Sequence, residues 1–106
     1  MTDSLDGVTC KRVSPGIGQA LASYEIQLVI LRALLEYVGD RSIVGTIEFS
    51  SDRAHRIAHL LTLEDGEHLL LLVSAGKLQE LRPGRRPLEQ LKTEASDWIV
   101  LGLAGS

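Results

Sequence analysis

Between Ile17 and Val38 the apolar residues recur at alternating steps of four and three: Ile17, Leu21, Tyr24, Leu28, Leu31, Leu35 and Val38. That spacing is one stripe of an α-helix and equally the seam along which two helices pack. A strand would repeat every second residue instead. The pattern predicts one continuous helix. Ser14 supplies an N-cap and Pro15 fits the first turn, while Gly39 stands where a left-handed C-terminal cap belongs. Gly16 and Gly18 weaken the first turn by about 1 kcal/mol each relative to Ala, so the helix firms up near Gln19.

This helix carries more apolar surface than one sheet face can cover. A second stripe runs through Ile26, Ile30, Ala33 and Tyr37, and Val29 and Leu34 widen it. Two arrangements accommodate the surplus. Either the helix lies between two layers of its own domain, or one stripe packs on a sheet and the other meets a second subunit. A chain of 106 residues has little material with which to wrap a central helix, which favours the second arrangement. Leu21, Leu28, Leu31 and Leu35 are then the candidate partner-binding residues.

The remaining segments read as an α+β fold. Val8–Val13 has the pattern of a short edge strand, in a leading stretch (residues 1–14) that is otherwise loosely patterned. Ile43–Phe49 is β-branched and alternating, with Gly45 marking a bulge or a close approach. Residues 51–63 fit either a helix capped by Ser51 or a strand from Arg56 to Leu63. The strand is preferred because Asp65-Gly66 between apolar runs is a strong hairpin signal. Leu69–Val73 is then a strand buried on both faces. Gly76–Leu81 reads as a short helical turn, Arg82–Pro87 as a loop, Leu88–Ser96 as a helix and Asp97–Leu103 as a closing strand. The expected architecture is one domain over 1–106. It has a long N-terminal helix on a small, mostly antiparallel sheet of three to four strands, and a second short helix before the last strand.

Composition narrows the function classes. The net charge is −3, which argues against binding nucleic acid or anionic membrane through bulk charge. No apolar run approaches the roughly 20 residues that span a bilayer, and Met1–Asp6 carries two Asp and no basic residue, unlike a signal peptide. A single Cys forms no internal disulfide, as expected of a reducing compartment. A cytoplasmic protein with no membrane association is the expectation.

Four groups of residues have the makings of a site. His55 and His59 stand four apart, the spacing at which a helix aims two imidazoles at one zinc ion. No metalloprotease Glu follows the first of them, and chance produces such spacings often. Cys10 precedes Lys11 and Arg12, cations that favour a thiolate, but no signature of a catalytic Cys surrounds it. Gly16-Ile17-Gly18 opens a helix as a phosphate loop does, yet Leu21 stands where a dinucleotide fingerprint needs its third Gly. Arg82, Arg85, Arg86 and Lys92 form the one basic cluster. Its guanidinium groups suit phosphate or carboxylate, with no interleaved aromatic to stack on bases. Trp98 reads as core, or as a rim residue whose indole reaches a polar partner.

No catalytic constellation assembles from these residues and none calls for a cofactor. The sequence therefore favours a non-enzymatic protein–protein interaction module, a homodimer with an adaptor- or chaperone-like role that binds itself and another protein. A nucleic-acid-associated regulator using Arg82, Arg85 and Arg86 is the alternative. A small metal- or thiol-dependent enzyme built on His55, His59, His68 or Cys10 comes third.

Overall fold

Six strands pair in the order in which they occur in the chain, each antiparallel to the next. They are β1 (Asp3–Leu5), β2 (Val8–Val13), β3 (Ile43–Ser50), β4 (Arg56–Leu63), β5 (His68–Ser74) and β6 (Lys77–Gly84). The connection from β2 to β3 holds α1 (Gly18–Ala22) and α2 (Leu28–Val38), and α3 (Leu88–Ala104) follows β6. The computed structural model describes residues 3–5, 7–15, 18–84 and 86–104. The α+β class is as expected, but the sheet exceeds the predicted three to four strands: β1 is a three-residue strip on five substantial strands.

The sheet is covered on both faces because its central strands are apolar on both. Leu69, Leu71 and Val73 of β5 join Leu61, Leu78 and Leu34 under α2, while Leu70 and Leu72 join Leu60, Ala58, Ile47 and Phe49 under Leu91, Ala95 and Ile99 of α3. Each buried leucine contributes about 1.5–3 kcal/mol through the apolar area removed from water. The β4–β5 hairpin turns at Asp65-Gly66, with Gly66 at φ 90° and the Leu63 amide donating to the Glu67 carbonyl at 2.8 Å. The strand reading of 56–63 therefore holds. Gly45 follows a shift in register between β3 and β4, as a bulge requires.

Three expectations are overturned. The long N-terminal helix is split: Ser23–Gln27 leaves the helical path, and Glu25 bridges to Lys77 at the start of β6. The Glu25 amide donates to the Gly76 carbonyl at 2.8 Å, and the Leu78 amide donates to the Glu25 carbonyl at 2.9 Å. These bonds hold Glu25 against the edge of β6. The five-residue α1 lacks the length to resist, since isolated helices under about 12 residues are marginal in water. The apolar spacing survives the interruption, which is why it reads as one rod.

The second correction is β6. Ala75 at φ 51° and Gly76 at φ 77° make a two-residue hairpin turn. The chain then runs extended from Lys77 to Gly84, so there is no helical turn at 76–81, and Arg82-Pro83-Gly84 lies within a strand. Pro83 is tolerated because β6 is the last strand of the sheet. The third is the chain's last described element. Asp97–Leu103 is not a closing strand but the continuation of α3, whose buried positions Leu91, Ala95 and Ile99 keep a step of four. Its β-branched pair Ile99-Val100 imitates a strand locally, but burial follows the helical period.

Gly39 ends α2 as expected, with its amide donating to the Leu35 carbonyl at 2.9 Å, but at φ 57° and ψ −132° it takes a positive-φ conformation other than the left-handed helical one. Gly16 and Ile17 lie outside the described residues.

Candidate functional site

The two stripes of α2 have separate fates. Ile30, Leu34, Tyr37 and Val38 pack on the sheet. On the opposite side Leu28 is 65% exposed, Val29 69% and Leu35 62%, with Leu31 half-buried between them. Arg32 and Glu36 share that exposed side. Of the four predicted partner-binding residues, Leu28, Leu31 and Leu35 therefore stand on one outer ridge. Leu21 does not. It sits on α1 and packs into the α2-side core, because the break at Ser23–Gln27 turns α1 out of line.

Both ends of α2 are fixed to the sheet by polar groups. At the C-terminal end the Tyr37 hydroxyl donates to Glu67 Oε2 at 2.7 Å and to the His68 carbonyl at 3.1 Å. Burial and the Glu67 carboxylate raise the Tyr37 pKa. Arg41 stacks 4.9 Å from the centre of the Tyr37 ring, donates to the Tyr37 carbonyl and pairs with Asp65 at 2.8 Å. The Arg41 bond holds the Asp65 carboxyl below the usual carboxylate range.

At the N-terminal end the Tyr24 hydroxyl and His59 Nε2 share a hydrogen bond of 3.0 Å. His59 is buried in the middle of β4, opposite Glu48 on β3, and Glu48 in turn pairs with Lys11 of β2 at 3.4 Å. Burial lowers the His59 pKa, with the Glu48 charge acting in the opposite direction. Burial raises that of Tyr24 and the Glu48 charge adds to it. The structure does not bring His55 and His59 together. His59 lies within β4 and His55 in the bend that precedes it, and His55 is exposed whereas His59 is buried. His68 Nδ1 meets the Thr62 hydroxyl at 3.0 Å. Among the described residues no group of three or more His, Cys, Asp or Glu is placed to hold a metal ion.

The described arginines of the basic cluster are paired with carboxylates at the surface. Arg82 pairs with Glu80 on its own strand and with Glu94 of α3 at 3.1 Å, and Arg86 pairs with the other Glu94 oxygen at 2.6 Å. Lys92 pairs with Glu89 at 3.5 Å. Arg85 lies outside the described residues. Arg82, Glu94, Asp97, Trp98 and Leu101 line a shallow groove of about 390 Å³ between β6 and α3. Trp98 is the rim residue the sequence allows. The Arg56 guanidinium lies 4.5 Å from its ring centre and donates to its carbonyl at 2.8 Å, passing alongside Gly102, where a Cβ would come within 2.6 Å of the Arg56 side chain. A second hollow of about 470 Å³, at the β3–β4 turn, is lined by Tyr24, Ser51, Asp52, His55, Arg56 and Ala75 among others. Cys10 is half-buried and packs against the α3-side core.

Sequence reasoning missed Tyr24 and Glu48 as partners of His59. A signal was present: alternation along β4 puts His59 on the same face as Ile57 and Leu61, so it points into the core once the segment is a strand. No family model, curated protein or solved structure matches the chain. Among the described residues no helix is long and apolar enough to cross a membrane.

Proposed function

We propose that the chain is a non-enzymatic interaction module that pairs with a second copy of itself through the outer ridge of α2. The carrying observation is the exposure of Leu28, Val29 and Leu35 on a helix whose other side is already packed. Single exposed apolar residues are ordinary, but here three lie within two turns of one helix. The ridge is self-complementary. An antiparallel two-fold packing sets Leu28 of one copy against Leu35 of the other. The helix is about 16 Å long, which makes a small interface and hence a weak, concentration-dependent dimer.

Sedimentation or light scattering across the micromolar range tests this. The native chain should shift from monomer to dimer with concentration, and Leu35→Asp should hold it monomeric with its melting temperature little changed. A native chain that stays monomeric at high micromolar concentration defeats the reading. The nucleic-acid alternative draws less support, since Arg82 and Arg86 both spend their charge on Glu94.

A further inference from the structure

We propose that His59 and Tyr24 form an acid-released latch, in which protonation of the buried imidazole frees the connection between α1 and α2 from the sheet. His59 is 1% exposed, and its Nδ1 has no hydrogen-bond partner among the described residues. Either tautomer leaves one buried ring atom unsatisfied. If the Tyr24 hydroxyl donates to Nε2, the Nδ1 proton has no acceptor. If Nε2 donates to the Tyr24 oxygen, the Nδ1 lone pair has no donor. Protonation worsens this, adding a cation where water cannot reach it.

The charged and titratable groups around the ring are few. β3 presents Glu48, already paired with Lys11 of β2, and the α1–α2 connection presents Tyr24. β5 presents Leu71 directly opposite, and α1 and α2 contribute Leu21, Ile30 and Leu34 to the same core. Burial outweighs the Glu48 charge, so the closed form favours the neutral ring.

Beyond the latch, the segment is held by the half-buried side chains of Leu21 and Ile26, neither of them fully sunk in the core. Residue 25, next to Tyr24, is fixed by its two backbone bonds to Gly76 and Leu78 and by an exposed Glu25–Lys77 pair at 3.8 Å. The preceding helix has only five residues. In an opened form the imidazole meets water and regains its ordinary pKa of about 6.5. The open form then binds more protons than the closed one. Closure is therefore undiminished above that value and weakens as pH falls below it. At pH 5.5 the open population rises by at most about tenfold, the limit set by one pH unit. The latch stands apart from the dimer reading, because it depends on the core around β4 and not on what covers α2.

Hydrogen-exchange protection factors, measured between pH 7.5 and 5.5 and corrected for intrinsic exchange, test it. Protection of the Leu78 amide should fall several-fold, up to the tenfold limit, while the central amides of Leu60 and Leu70 hold theirs. His59→Leu should make the Leu78 protection independent of pH over the same range. Constant Leu78 protection in the native chain, an equal loss at Leu60 and Leu70, or a pH dependence that survives in His59→Leu each overturns the latch. If His59→Leu does not fold, the NMR titration of the native His59 ring decides. A ring that protonates as Leu78 opens supports the proposal, and one that stays neutral while Leu78 opens overturns it.

Discussion

On the α3 side of the sheet, one unbroken helix of 17 residues lies over a core that is almost wholly apolar, with Ser96 the buried polar side chain. On the α2 side, two shorter helices separated by a break cover a face that includes Thr46, Glu48 and His59. The difference lies in how each cover is attached. α3 is sunk deeper, with Leu91, Ala95 and Ile99 fully buried among the leucines, and the polar contacts of Arg56 with Trp98 and of Arg82 with Glu94 add to that buried area. α2 sinks only Leu34 fully and relies on directional bonds at its ends, from Tyr24 at one and from Tyr37 and Arg41 at the other. A cover held mainly by area depends less on pH and salt than one that relies on bonds at its ends.

Substitutions can break or sharpen that contrast. The largest effect is expected from Leu91→Ala, which removes the fully buried anchor of α3 and costs about 3 kcal/mol in urea unfolding. Leu34→Ala should cost less, about 2 kcal/mol, because α2 keeps its end bonds. Equal losses would mean that the two covers are attached alike. Tyr24→Phe deletes one hydroxyl and leaves His59 Nε2 without its bond, for a loss of about 1 kcal/mol. Calorimetry at pH 7.5 gives the number, and a neutral result would show that the Tyr24 bond contributes nothing to the α2 cover. Glu94→Gln should change stability by less than about 1 kcal/mol, since its pairs with Arg82 and Arg86 are partly exposed. It should also release Arg86 and leave Arg82 with Glu80 alone, detectable as tighter retention on a sulfated resin at low salt.

Local patterning was most readable where one rule decided the outcome. The β4–β5 hairpin could be read from Asp65-Gly66 between apolar runs, and the two-sided burial of β5 from its unbroken leucines. The outer ridge of α2 followed from an apolar surplus that no single layer could absorb. The break before Leu28 was not readable, because it is imposed by backbone bonds from Gly76 and Leu78, some fifty residues away in the chain, and no local propensity records them. The pairing of Arg82 and Arg86 with Glu94 escaped for the same reason. In sequence the cluster reads as a loop, and its pairs with Glu94 exist only because β6 and α3 lie side by side. Asp97–Leu103 resembles a strand because of its β-branched pair, while the four-residue step of Leu91, Ala95 and Ile99 is what the fold follows.

The strictly sequential order of the strands bears on how the molecule assembles. Each of the hairpins β3–β4, β4–β5 and β5–β6 closes a loop of a few residues, so this part of the sheet can zip up at little cost in chain entropy. The lone wide closure is that between β2 and β3, and it spans residues 14–42, the stretch that carries α1, α2 and the tyrosine contact with β4. Pairing β2 with β3 therefore carries a larger loop-closure entropy than any of the three hairpins.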